Sequence, residues 1–296
     1  MSLCCALETL FRRDEPLAER TTFRIGGPAA LFAEPVDRDA FASAYAEALA
    51  AGRPVYILGG GSNLLISDEA LAGIVLSTRR LVSRKPERDG DRILVLAGTP
   101  LAQVVNWTAA HELAGLEGLA GIPGTVGGAI CMNAGGRHGC IGERAARLWV
   151  ADRAGRVRER PGCDVAWGYR SSDIADPVLA VEFQLSSEPG TSVLRRRTEI
   201  LEAKSAAQPM RSYSAGCFFK NPRGDSAGRL IEMAGLKGSR IGDAAVSLKH
   251  ANFIVNLGRA RATDVLRLAR AVRARVSDCH GIALESEVLC WPNTSV

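Results

Sequence analysis

The chain has 296 residues, 37 Lys and Arg against 32 Asp and Glu, and an apolar fraction of 47%. That composition supports two or three domains with real cores, and excludes a disordered acidic chain or a disulfide-stapled miniprotein. The net charge of +5 is scattered, and Arg195-Arg196-Arg197 has no interleaved aromatics. A small anionic substrate is therefore expected rather than nucleic acid. Eight cysteines (Cys4, Cys5, Cys131, Cys140, Cys163, Cys217, Cys279 and Cys290) form no CxxC pair and no metal-ligand spacing with the four histidines. No metal is expected, and reduced thiols in the cytoplasm are the simplest reading. Met1–Glu8 lacks a basic segment followed by an apolar core, and no stretch approaches the ~18 apolar residues of a span. Neither a leader nor a membrane partner is expected.

Taken in order, Thr21–Ala29 reads as a short β-like run broken at Gly26-Gly27-Pro28. Asp37 caps a helix with Phe41, Tyr45 and Leu49 on one face, stopped by Gly52. Val55–Leu58 is a strand that runs into Gly59-Gly60-Gly61-Ser62-Asn63, the layout of a phosphate cradle. A nicotinamide-binding turn would place its third glycine at position 64, which is Leu64, and no Walker lysine follows, so a plain β-turn stays open. Ile74–Leu76 and Ile93–Leu96 are strands. Thr99 caps the next helix with Pro100 in its first turn; Leu101, Val104, Val105 and Thr108 face inward and Gly115 ends it.

Gly115–Gly135 holds seven glycines in 21 positions, separated by apolar residues. Such a stretch suits close backbone approach to a large cofactor, with a turn between two core strands as the alternative. Leu148–Ala151, a turn at Ala154-Gly155 and the run from Arg156 make a hairpin, and Val178–Phe183 is a strand. Ser186–Gly190 reads as a boundary, followed by a helix to about Ala207 whose three arginines lie on a solvated face. Asp225 caps a short helix ended by Gly235. Val246–Asn256 is extended, and Thr263 caps a helix carrying Val265, Leu268, Val272 and Val276. Ala283–Leu289 alternates as a strand. The fold class is α+β, in a cofactor half and a smaller cap.

Seven motifs occur in register between Thr21 and Val288. They are Thr21-Thr-Phe-Arg-Ile-Gly-Gly27, Gly59-Gly-Gly-Ser-Asn-Leu-Leu65, Gly121-Ile-Pro-Gly-Thr-Val-Gly-Gly-Ala129, Met132-Asn-Ala-Gly135, Gly168-Tyr-Arg-Ser-Ser172, Phe218-Phe-Lys-Asn-Pro222 and Lys249-His-Ala-Asn-Phe-Ile-Val-Asn256. In this order they resemble the UDP-N-acetylenolpyruvoylglucosamine reductases, the MurB flavoenzymes of peptidoglycan precursor synthesis. The length resembles the family's short second subtype. The resemblance implies a two-part FAD-binding region of the vanillyl-alcohol-oxidase (PCMH) type, over residues 1–80 and 81–190, and a C-terminal substrate domain over 191–296. It implies non-covalent FAD, NADPH as reductant and a nucleotide-sugar substrate. Gly59, Gly60, Gly61, Ser62, Asn63, Ile122, Pro123, Gly124, Thr125, Gly127 and Gly128 would hold the cofactor. Tyr169, Lys220 and Asn221 would meet the substrate, while Lys249 would be structural.

The family's chemistry delivers hydride to C3 of an enolpyruvyl ether, so the site must stabilise an enolate-like dianion and protonate C2. The resemblance places the carboxylate on Arg170, whose planar fork suits bidentate pairing. Glu287 would assist as a protonated donor with a raised pKa in a partly buried setting, with Glu285, on the same face, as its rival. The expected proton donor is where the chain departs from the family pattern. Cys217 stands at the usual serine, and a thiol is the stronger acid and oxidisable. A second departure puts Leu289, Cys290 and Trp291 where an arginine commonly follows Glu287-Val288. Two other readings stay open. One is another flavin oxidase of the same fold, often tethering FAD through histidine. The other is a degenerate paralogue that binds FAD or a nucleotide sugar without turnover.

Overall fold

The computed structural model describes residues 11–293; Cys4, Cys5 and the expectation of a leaderless N-terminus lie outside them. The chain forms two compact units, each from discontinuous segments. The first runs up to Arg13, then over Leu31–Gly60 and Ala72–Lys204; the second takes Asp14–Ala30, Gly61–Leu71 and the chain from Ser205 onward. No helix among the described residues is long and apolar enough to cross a membrane. No group of three or more potential metal ligands occurs among them either.

The first unit is built on a five-stranded sheet ordered Val157–Pro161, Ala145–Ala151, Val178–Gln184, Arg92–Leu96, Glu87–Asp89. All its neighbours are antiparallel. Ile93, Val95, Leu148, Val181 and Phe183 alternate into one core with Leu101, Val104 and Val105 of a helix, Leu101–Ala110. A separate core surrounds the parallel pair Val55–Leu58 and Leu71–Ser77, against which helix α1 (Arg38–Ala50) lays Phe41, Ala44, Tyr45 and Ala48. Asp37 caps α1 as the sequence implied, accepting from the Ala40 amide at 2.8 Å. The helix Leu101–Ala110, α2, leads through a short strand, Leu113–Ala114, to the glycine-rich stretch and helix α3, Val126–Cys131. Ser186–Ser187 pairs with Leu113–Ala114, and helix α4 (Gly190–Ala207) packs Val193 against Ala109 and Ala114.

The second unit carries a four-stranded sheet ordered Tyr213–Cys217, Phe253–Asn256, Ala244–Val246, Arg240–Ile241. One face of the sheet packs against the short helix α5 (Ala227–Met233) and the long helix α6 (Ala262–His280). Val265, Leu268, Val272 and Val276 form the inward stripe read from the sequence, and Phe23, Ile25 and Leu65 join the same core.

Several local expectations are corrected. Thr21–Gly27 forms no strand; the nearest strand is Pro28–Ala33. Thr99 does not cap α2, because its hydroxyl accepts from the Ser83 amide; α2 starts at Leu101 after Pro100 and ends at Ala110, before Gly115. Asp225 is not the cap of α5: Ser226 is, and the Ala227 amide bonds to Asn221 Oδ1 at 3.1 Å. Thr263 lies inside α6, whose first amides are taken by Asp68 at 2.7 and 3.1 Å. Val246–Asn256 is interrupted between its two strands, where Ser247 Oγ accepts from the Lys249 amide and the Phe253 amide donates to His250 O. Ala283–Val288 is outside any named strand, though Phe219 and Ser286 form an isolated bridge. The strand there, Leu289–Trp291, runs parallel to Leu64–Ile66.

Candidate cofactor and active site

In the first unit the two glycine-rich loops meet. A Cβ added to Gly60 would lie 2.7 Å from Gly124 Cα, and one on Gly59 would lie 2.6 Å from Thr125 Oγ1. No side chain fits at either place, so the bare backbones define a close-walled cradle. Gly124 has φ +109 and its carbonyl accepts from the Leu101 amide at 3.0 Å. Gly127 serves packing: its amide donates to Ala97 O at 2.8 Å, and a Cβ would meet Ala97 Cβ. Ile122 is half-buried, while Pro123 and Gly128 are exposed. Thr125 is 6% exposed, and its hydroxyl has no hydrogen-bond partner among the described residues. A buried hydroxyl without a partner is costly, and a bound ligand's acceptor or donor would relieve it. Arg79 Nη2 also reaches Gly60 O at 3.5 Å. The orphaned hydroxyl, the bare walls and the adjacent guanidinium fit the phosphates of a dinucleotide cofactor.

Gly61, Ser62 and Asn63 belong to the second unit. Gly61 has φ +65 and a Cβ there would press on Arg20 O. Asn63 donates its side-chain amide to Glu287 O at 3.0 Å and accepts from the Leu289 amide through its own carbonyl. It thus fixes the segment that carries Glu287.

Tyr169 and Arg170 form the two-residue connection between Trp167–Gly168 and Ser171–Ser172 in the first unit. Arg170 has φ +54, an unusual conformation for a residue with a Cβ, and its guanidinium lies 5.2 Å from the Tyr169 ring centre. Lys204, absent from the sequence-derived set, belongs to the same unit. Its ammonium donates to Ala120 O at 2.6 Å and Gly118 O at 3.4 Å. Burial, then the Arg170 and Arg137 charges, push its pKa down to about 8. Three cations beside the glycine-rich stretch favour an anionic ligand.

In the second unit Cys217 ends the strand Tyr213–Cys217, after a register shift between Ser214 and Cys217, where Gly216 has φ +79. It is half-buried, as is Glu287. The two lie on adjacent segments, because the Glu287 amide donates to Phe218 O at 2.8 Å. Asn252, 2% exposed, fixes the Cys217 end by bonding both Phe219 N and Phe219 O, at 2.9 and 2.7 Å. Glu285 faces solvent with 77% side-chain exposure and pairs with Lys220 at 3.5 Å. Burial therefore separates Glu287 from its rival. Asn221 is exposed and engaged with α5, and Lys249 donates to Ser205 O at 2.6 Å. A groove of about 760 Å³ opens nearby, with Arg211, Leu248 and Lys249 on its walls. Cys290 is buried, which raises its thiol pKa and leaves it inert.

Sequence reasoning did not identify Lys204, Arg79, Asn133 or Asn252 as site-forming. Asn133 and Asn252 sit inside quoted motifs, which was their signal; Lys204 sits in a polar helix and had none.

Two family models match the chain. The FAD binding domain matches residues 29–159, and the C-terminal domain of UDP-N-acetylenolpyruvoylglucosamine reductase matches residues 208–291. The chain is 43% identical to the UDP-N-acetylenolpyruvoylglucosamine reductase of Anaeromyxobacter dehalogenans, over 93% of this chain and 84% of that one. It is 42% identical to the enzyme of that name from Synechococcus, over 96% and 95%. The crystal structure of the reductase from Thermus caldophilus superposes with a TM-score of 0.83 at 39% identity, covering 96% of this chain and 100% of that one. A glucose oxidase variant of Phl p 4 matches with a TM-score of 0.50 at 15% identity, over 64% of this chain and 45% of that one, a likeness of fold alone. The α+β fold with an FAD-binding region of the vanillyl-alcohol-oxidase type is thereby established. With both domain models matched and identity above 40% across more than nine-tenths of the sequence, the chain belongs to the UDP-N-acetylenolpyruvoylglucosamine reductase family.

Proposed function

We propose that this protein binds FAD non-covalently, is reduced by NADPH, and converts UDP-N-acetylglucosamine enolpyruvate to UDP-N-acetylmuramate in the cytoplasm, for peptidoglycan precursor synthesis. The observation that carries the reading is the 43% identity to a named reductase across 93% of the chain. The bare-walled cradle at Gly60 and Gly124 and the orphaned Thr125 hydroxyl support the cofactor. When bound, FAD would supply a two-electron carrier between NADPH and C3 of the substrate. Arg170 holds the enolpyruvyl carboxylate and draws charge toward it, which makes C3 electrophilic. Glu287, in the role the family resemblance gives it, would donate a hydrogen bond from its acid form to the same carboxylate. Cys217 gives its proton to C2, and solvent restores it.

The remaining cofactor and substrate assignments are part of this proposal: Gly59 to Asn63, Ile122 to Gly128, Tyr169, Lys220 and Asn221. Arg211, on the groove of the second unit, suits the phosphates of a nucleotide sugar, while Lys249, held by Ser205 O, keeps a structural role. No nucleic-acid or membrane partner belongs to the proposal. The division at 1–80, 81–190 and 191–296 is supported by three hydrophobic cores, each drawing most of its members from one of those ranges.

The test is spectroscopic. The purified protein should be yellow, release its flavin on acid denaturation, bleach with NADPH under anaerobiosis and recover colour on adding the enolpyruvyl substrate. A colourless protein that takes up no FAD overturns the proposal. Reduced flavin that only oxygen reoxidises would favour an oxidase of the same fold.

A further inference from the structure

The Met132-Asn133-Ala134-Gly135 motif holds a residue that the proposed chemistry leaves without a role. Asn133 is 7% exposed and stands just beyond the end of α3, the helix that opens at Thr125 in the cofactor cradle. Both ends of its amide are used. Oδ1 accepts from the Gly142 amide at 3.1 Å, and Nδ2 donates to Gly168 O at 2.9 Å. Gly168 immediately precedes Tyr169 and Arg170. A second tie lies on the other side of the turn, where Ser172 Oγ donates to Cys131 O at 2.9 Å. The hairpin that presents Arg170 is thus fastened at both strands to the C-terminal end of the cofactor helix.

The turn needs fastening. Arg170 has φ +54 and Asn133 itself has φ +41. Asparagine tolerates that region better than most residues, whereas arginine does not adopt it without cost. A strained conformation persists only where its surroundings over-determine it. The Gly168–Ser171 pair is a two-residue ladder, too short to do so alone. The Asn133 amide is the buried contact that completes the restraint. It also fills its space closely, because a Cβ on Gly142 would lie 2.8 Å from Asn133 Oδ1 and 2.5 Å from Trp167.

We infer that Asn133 is a positioning residue for Arg170: its amide locks the turn in the conformation that presents the guanidinium to the enolpyruvyl carboxylate. The inference rests on the proposed role of Arg170.

Asn133→Gly removes the amide while accepting the left-handed backbone. Asn133→Asp keeps the acceptor for Gly142 but sets an oxygen against Gly168 O. Each holoenzyme is reduced with NADPH under anaerobiosis and then mixed with the enolpyruvyl substrate, following flavin absorbance. Both variants should slow reoxidation by ~10- to 100-fold, the cost of a misplaced catalytic group, and leave reduction by NADPH unchanged. In an Arg170→Ala background, Asn133→Gly should cost no more than about twofold further, because residues acting through one another are not additive. Should Asn133→Gly not fold, Ser172→Ala cuts the second tie and should slow reoxidation in the same selective way. Equal slowing of both half-reactions, or a full additional loss on top of Arg170→Ala, overturns the inference. If Arg170→Ala is slow but the Asn133 variants are not, only the inference falls. If Arg170→Ala reoxidises at the wild-type rate, the role of Arg170 falls and that of Asn133 with it.

Discussion

Cys217 sits where the strand register shifts and the preceding glycine takes a positive φ, so the thiol is only half-buried. As the proton donor, Cys217→Ala should slow substrate-dependent flavin reoxidation by ~10²- to 10⁴-fold, and Cys217→Ser should recover most of it. Peroxide should inactivate the wild type and spare Cys217→Ser, although Cys131, Cys163 and Cys279 are more exposed. Lys204 makes a prediction with a definite sign. Its folded pKa of about 8 lies below the ordinary 10.5, so the unfolded chain binds more protons between those values. Stability therefore rises with pH across that window as the buried charge is lost. Lys204→Met should raise Tm at pH 7, and the gain should shrink from pH 8 toward pH 10.5. If the cation serves an anionic substrate, the same variant should raise KM below pH 8 and make little difference above it. Residue roles were partly legible in the chain itself. Arg170, Cys217 and Glu287 could be proposed from motif position. Lys204 could not, because its neighbours Gly118, Ala120 and Arg170 are 34 to 86 positions away.

Among elements, those with a strong internal period were legible and those fixed by distant partners were not. The apolar stripe of α6 reads directly from Val265, Leu268, Val272 and Val276, and all four are buried. Its start does not, since Asp68, nearly two hundred residues earlier, takes the first amides. The α5 start is similar, with Asn221 engaging the Ala227 amide. The glycine-rich loops were recognisable, but only the fold separates Gly60, walled by Gly124, from Gly127, packed on Ala97. Gly60→Ala should push these loops apart, lower stability by ~1–3 kcal/mol and weaken FAD binding measured by fluorescence quenching. An unchanged FAD affinity would detach the cradle from the cofactor. Leu268→Ala, in contrast, should cost ~2–5 kcal/mol through its cavity, with no direct effect on flavin binding.

For the molecule as a whole, a ligand that binds only the folded chain stabilises it by mass action, ~2.7 kcal/mol at a hundredfold excess over Kd. Removing FAD from such an excess should therefore lower Tm by ~4 °C, and adding it back should restore the loss. A Tm indifferent to FAD would mean that the cofactor meets no preformed site. The second unit also has an uneven chronology of synthesis. Phe23, Ile25 and Leu65 leave the ribosome early, yet their core partners Val265, Leu268 and Leu284 are made about two hundred residues later. During most of translation those early side chains lack their native cover, and the first unit, whose last segment ends at Lys204, can close sooner. Nascent chains are therefore vulnerable to proteases and aggregation at Asp14–Ala30 until the segment carrying Val265 to Leu284 has emerged. For the same reason a fragment starting at Ser205 should not fold unless a peptide spanning Asp14 to Leu71 is supplied.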